Sequence, residues 1–242
     1  MISAPKPDCE ARRLEALRAY HVLDSAREQA YDDITKLASF ICETPVAMIS
    51  LVDDCRQWFK SKTGTETQET SRDVAFCAHT ILDSHVFVVP DASNDTRFAD
   101  NPLVTGESRV RFYAGAPLLT HEGYAMGALC VTDRVPRSLS REQTDALEAL
   151  ARQTIALMEL RRVSAALAES VESVKILHGM LPICCYCKRI RDDAGYWNQV
   201  DEYIHNHSEA KFTHGACAEC AKKAMEDFRR SVALRNSAAH HD

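Results

Sequence analysis

"RFYAGAPLLT" (residues 111–120) and "YAMGALCVTD" (residues 124–133) are two apolar runs separated by His121, Glu122 and Gly123. Two strand-length runs with a glycine-containing turn between them signal a β-hairpin, whose strands run antiparallel. Moving toward the N-terminus, "VFVVPDA" (residues 86–92) is a strand ended by Pro90, and "VAMISLV" (residues 46–52) is a short apolar strand. Asp53 and Asp54 then turn the chain into "CRQWFKSK" (residues 55–62). There Arg56, Trp58 and Lys60 alternate with Gln57, Phe59 and Ser61, the period of a strand that pairs with residues 46–52. Residues 11–20 and 27–43 read as helices, because Leu14, Leu17, Ile34, Leu37, Ala38 and Ile41 recur at helical spacing. "TGTETQETSRD" (residues 63–73) reads as a polar loop, residues 76–82 as a short helix or turn, and "SNDTRFADNPLVTGES" (residues 93–108) as irregular chain rich in turn formers. Helices, hairpins and a closing helix predict an α+β domain with an antiparallel sheet.

The closing helix is long, with no Gly or Pro from residue 143 to Gly179. Leu147, Leu150, Leu157, Leu160, Val163, Leu167, Val171, Val174 and Leu177 fall mostly at spacings of three and four, a heptad-like seam. The first part of this seam has the sheet to pack on. The part from Val163 onward has no domain left to cover it, which points to a homodimer through residues 157–177. The alternative is a monomeric helix that folds back on the C-terminal segment.

That segment holds Cys184-x-x-Cys187 and Cys217-x-x-Cys220, with 29 residues between the pairs. Each pair can set two sulfurs on one side of a tight turn. Two pairs supply the tetrahedral thiolate shell that structural zinc prefers. Free thiols, a redox couple and an iron–sulfur cluster are the competing readings of the same spacing. Cys185, His205, His207 and His214 lie close enough in sequence to replace a cysteine as ligand. Trp197, Val200, Ile204 and His207 share one face of a predicted helix between the pairs, with Tyr203 bordering it.

The formal net charge is −6, all of it in residues 1–178, while residues 179–242 balance to zero. Neither part has the basic excess of a nucleic-acid binder. No apolar run reaches the about 18 residues that a transmembrane helix needs. Residues 1–10 lack the apolar stretch of a signal peptide. Ten cysteines in such a chain point to the reducing cytoplasm, where they are thiols or metal ligands.

Three runs, "ETSRDVAFCAHTI", "VVPDASNDTRFADNPLVTG" and "RFYAGAPL…GYAMGALCVTDRVPRSLS", resemble GAF domains of bacterial signalling proteins over about residues 12–162. The resemblance implies a central antiparallel sheet with helices on one face, a ligand pocket on the other, and a sensory or dimerising role. It nominates Phe76, Cys77, His79, Asp91, Arg97, Arg111 and Tyr113 as pocket residues, with the two arginines as partners for an anion. Relatives that attach a bilin do so through a cysteine followed directly by histidine. Here the order is Cys77-Ala78-His79, so that attachment does not carry over. "PICCYCKRIRDDAGYWNQVDEYIHNHSEAKFTHG" (residues 182–215) resembles a small cysteine-rich module appended to bacterial sensor proteins. It departs from that pattern at Ala218, where proline is general.

The expected organisation is therefore a GAF sensory domain at 1–139, a helical linker at 140–178, a four-cysteine zinc module at 179–228 and an unstructured tail at 229–242. No Gly-x-Ser-x-Gly elbow, P-loop, His-Glu-x-x-His pair or kinase signature occurs, so the expectation is a regulator and not an enzyme. In that reading a small ligand or redox cue acts on the GAF domain, a dimeric helix transmits it, and the zinc module contacts an unidentified signalling partner. The resemblance leaves the GAF ligand unnamed. One alternative is a zinc–thiolate redox switch. Another is the free methionine sulfoxide reductase activity found in some GAF domains, with Cys77 and Cys130 as its thiols.

Overall fold

The computed structural model describes residues 1–175, 181–192, 194–208, 210–213 and 215–238. Leu177, Gly179, Asp193 and His214, on which sequence readings fell, lie outside the described residues, as does the side chain of Val174. The chain divides into two compact units, Met1–Ala168 and Glu169–Asp242.

In chain order the first unit contains helices α1 (Glu10–Ala19) and α2 (Gln29–Ile41), then strands β1 (Val46–Val52), β2 (Arg56–Thr63) and β3 (Glu69–Ser71). A 3-10 turn (Arg72–Val74), α3 (Phe76–Thr80), β4 (Phe87–Val89) and α4 (Pro102–Thr105) follow, and then β5 (Phe112–Leu119), β6 (Ala125–Asp133) and the long helix α5 (Arg141–Lys175). The six strands form one antiparallel sheet in the order β3-β2-β1-β6-β5-β4. The hairpin at 111–133 is β5–β6, and β1 pairs with the other edge of β6. Where the sequence reads residues 63–73 as polar loop, Glu69–Ser71 pairs with β2 as an edge strand. Backbone pairing rather than apolar pattern makes this strand.

Alternation along the strands sorts side chains to the two faces. Ala47, Ile49, Leu51, Trp58, Ala116, Leu118, Met126 and Leu129 pack with Leu17, Ile34 and Ala38, and with Leu147, Ala151 and Met158 of α5. Phe76, Cys77, Val89, Phe98, Val104, Tyr113, Ala128 and Cys130 form a second cluster that includes Val52. Gly127 is required by close packing, since a Cβ there would lie 1.9 Å from the Ser50 carbonyl oxygen.

Two buried cations tie the N-terminal helices to the sheet. Arg13 donates to the Val52 carbonyl at 2.8 Å and forms a two-pronged pair with Glu10. Lys60 Nζ donates to Ser25 Oγ, the Ala26 carbonyl and Glu28 Oε1, which uses all three of its protons.

On α5, Leu160, Val163, Leu167 and Val171 are exposed. In the second unit, β7 (Ile190–Arg191) and β8 (Trp197–Asn198) form a hairpin, followed by α6 (Val200–His207) and α7 (Ala218–Ala238). Asp192 closes the hairpin by accepting from the Tyr196 amide and Asn198 Nδ2. Trp197 thus lies in a strand rather than on the predicted helix, and Ile190 and Tyr203 are the buried side chains among the described residues here. Residues 229–238, read from the sequence as an unstructured tail, continue α7. The run from Ala218 to Ala238 has no Gly or Pro and is rich in Ala, Lys, Arg and Glu, which are strong helix formers. No helix among the described residues is long and apolar enough to cross a membrane.

Candidate functional site

A cavity of about 440 Å³ opens on the face of the sheet opposite α1 and α2. Met48 of β1 and Gln57 and Phe59 of β2 supply one wall, and Phe76 and Cys77 of α3 and Tyr113 of β5 supply another. Thr65, Thr67, Thr70, Ser108 and Thr132 add hydroxyls, and Asp133 and Arg134 lie at its edge. Strand alternation explains the first wall: Gln57 and Phe59 are two residues apart and share a face.

Of the residues nominated from the sequence, Phe76, Cys77 and Tyr113 line the cavity. The Phe76 and Tyr113 rings stack with centroids 5.1 Å apart. Gly115 leaves room for the tyrosine, since a Cβ there would lie 2.2 Å from its hydroxyl oxygen. His79, Asp91, Arg97 and Arg111 are not among the lining residues. The His79 ring packs edge-on against Phe98, and its Nε2 is 3.2 Å from the Ile2 carbonyl oxygen. Asp91 accepts from Ser93 and Asn94 and closes its own turn. Arg97 pairs with Asp95 and lies over the Phe87 ring. Arg111 donates to the Val104 and Val110 carbonyls. Their partners come from the chain itself, as polar loop residues commonly do.

Behind the cavity wall, Cys77 Sγ lies 3.5 Å from Cys130 Sγ, and the Tyr113 hydroxyl donates to Cys77 at 3.2 Å. Thr80 Oγ1 meets the same hydroxyl at 2.6 Å. Burial opposes ionisation of Cys77, but hydrogen bonds from Cys130 and Tyr113 outweigh it and hold this thiol below the usual cysteine range. Cys130 is pushed well above that range by its bond to Cys77 and by burial. Tyr113 is pushed up by burial and by the two sulfurs. Two thiols this close do not both ionise, so the pair shares a single negative charge at most.

The C-terminal cysteines fall in two pairs, one in the turn before β7 and one at the start of α7. Bonds from the backbone amides of Cys187 and Tyr186 hold the Cys184 thiol below its ordinary range. Lys188 closes that turn with φ +61°, its amide donating to the Cys184 carbonyl at 3.0 Å. Cys217 precedes α7 and accepts from the Cys220 amide at 3.5 Å, and this bond likewise lowers its thiol. Amide donors aimed at a sulfur favour the thiolate, which is the form that binds zinc. No group of three or more His, Cys, Asp or Glu poised to hold an ion occurs among the described residues. His207 stacks on Tyr203 and its Nδ1 lies 2.7 Å from the Tyr203 carbonyl oxygen, a packing role within α6.

The GAF domain family model matches residues 26–156. A cyclic di-GMP phosphodiesterase of Pseudomonas aeruginosa is 41% identical over 163 residues, covering 67% of this chain and 28% of that protein. The chain therefore spans less than a third of that relative's length. The GAF domain of a phosphoenolpyruvate-protein phosphotransferase from Coxiella burnetii superposes with a TM-score of 0.49 at 15% identity, covering 64% of this chain and 98% of that one. The corresponding Acinetobacter domain gives 0.48 at 16% identity, covering 65% and 96%. The relative at 41% identity is named as an enzyme, and this overturns the expectation, drawn from missing motifs, that the chain is not one.

Proposed function

The chain belongs to the GAF domain family, and from that premise we propose that it is a signal-sensing regulatory protein of cyclic di-GMP signalling whose cavity binds a small molecule. The cavity itself carries this reading. At about 440 Å³ it falls within the range of small-molecule sites, and it combines aromatic walls with a few hydroxyls. The relative named as a cyclic di-GMP phosphodiesterase supports the choice of signalling system.

Transmission runs through α5. Leu160, Val163, Leu167 and Val171 form an exposed stripe at heptad spacing, which a second copy of the chain covers in a parallel coil. Cys184, Cys187, Cys217 and Cys220 would hold one zinc ion, whose contribution is a structural thiolate staple that closes the two half-sites on each other. The zinc-stapled unit then presents a surface to a signalling partner, with the thiols kept reduced in the cytoplasm. Producing the full chain in a bacterial host and quantifying cellular cyclic di-GMP tests the assignment. The wild-type chain is expected to shift the level and Val110→Trp, which fills the cavity, to abolish the shift. An unchanged level with the wild-type chain would overturn it.

The 3.5 Å separation of Cys77 and Cys130 favours a second reading, in which the cue is oxidative. Hydrogen peroxide would take two electrons and two protons from the two thiols, leaving a disulfide and two waters. Free methionine sulfoxide would draw on the same pair, yielding methionine, one water and the disulfide. Peptide mapping after treatment should find the Cys77–Cys130 bond, which a thiol reductant reverses; two unmodified thiols would exclude both reactions.

A further inference from the structure

Resting on the ligand-binding reading above, we propose that the cavity takes an uncharged molecule bearing an amide or lactam edge, an N–H beside a C=O, held by the side-chain amide of Gln57. Gln57 is 5% exposed, and its Oε1 is buried without a hydrogen-bond partner among the described residues. Thr70 stands directly opposite in the β2–β3 pairing, and its Oγ1 is buried without a partner as well. Both residues line the cavity. Buried polar atoms in folded proteins are almost always paired. Two orphans at paired strand positions on one cavity wall therefore point to a partner that enters the cavity.

The chemistry of that partner follows from the wall. A carboxamide offers one acceptor and two donors in a plane, so its complement carries a donor and an acceptor side by side. The Thr70 hydroxyl can serve either half of that edge. A charged group finds no match at depth. The Asp133 carboxylate is already taken by Arg137 Nε and by the Arg134 and Val135 amides. Arg134, the cation among the lining residues, is exposed. Burying an ion against such a wall leaves its charge unpaired. Phe59, Phe76 and Tyr113 favour a flat ring attached to the amide.

Binding of four probes to the full chain, followed by ligand-observed NMR and thermal shift, tests this. Benzamide and 2-pyridone carry the edge; benzoate is the anionic analogue, and acetophenone keeps the carbonyl without the N–H. Benzamide and 2-pyridone are expected to bind at least about ten-fold more tightly than the other two, because a site built to hydrogen-bond rejects what lacks the bond. Gln57→Leu should erase that preference while the free protein melts at the same or a higher temperature, since an orphaned polar atom has been removed. The near-isosteric Thr70→Val should weaken the preference in the same direction and covers the case in which Gln57→Leu fails to fold. Benzoate binding as tightly as benzamide, or a preference that survives both variants, would overturn the amide class and leave the cavity as a binding site. Failure of all four probes to bind would overturn the binding reading as well.

Discussion

Glu10 lies between two guanidiniums, accepting from Arg13 Nε at 2.7 Å and Arg13 Nη2 at 2.8 Å, and from Arg72 Nη1. Burial alone would raise its pKa, but the bonds from Arg13 and Arg72 outweigh burial and bring it from 4.5 to about 2. A carboxyl whose folded pKa is depressed stabilises the fold above its unfolded pKa and loses that contribution as pH falls toward the folded value. Glu10→Gln should therefore cost about 3 kcal/mol near pH 7, because it leaves Arg13 buried without its counter-charge. The gap to wild type should close between pH 4.5 and about 2. Urea unfolding across that range measures it, and a gap independent of pH would show that the carboxylate charge contributes nothing. Little of this was legible in the sequence, since a buried arginine in "EARRLEALRA" looks like any helical surface charge. The same holds for the candidate site. Phe76, Cys77 and Tyr113 line the cavity, whereas Asp91, Arg97 and Arg111 resemble ligand-binding residues in sequence and are satisfied by their own neighbours. Gln57 and Thr70 went unnoticed because their pairing depends on strand register, which no local pattern states.

Among the elements, α5 changes environment along its length. Leu147, Ala151 and Met158 are buried, while Leu160 is 62% and Leu167 64% exposed. Both halves were visible as one continuous seam, because helical periodicity is local, and the change between them needs the sheet to be in place. Leu167→Lys is expected to convert a dimer to a monomer in sedimentation velocity, since burying a leucine in a coil is worth about 2 kcal/mol per chain. The unfolding of residues 1–168 should not change, because this side chain is exposed. A wild-type chain that sediments as a monomer, or a variant that stays dimeric, would remove the coil from the account. Strands β1, β2, β5 and β6 were read close to their limits for the same local reason. Strand β3 was missed because its three residues are polar and owe their conformation to the partner strand. Helix α7 was not read from the sequence because its apolar residues Met225, Phe228 and Val232 are exposed, and a helix that buries no face leaves little to recognise.

At the scale of the molecule, the α+β class and the GAF resemblance were legible because many positions carry them, across several elements. The resemblance implied a pocket on the face away from the helices, but most of its lining was not legible, because its walls come from β1, β2, α3 and β5, far apart in the chain. Missing catalytic signatures were no ground for excluding an enzyme, since a relative 41% identical over 163 residues is named as a phosphodiesterase. The proposed function joins a cavity occupant, a helical dimer and a zinc staple in one chain. A native mass spectrum of the full chain, purified without chelator, reads all three at once. The expected species is a dimer carrying one zinc per chain, with additional mass from a small molecule that Val110→Trp excludes. A monomer with neither metal nor added mass would contradict the account at its centre.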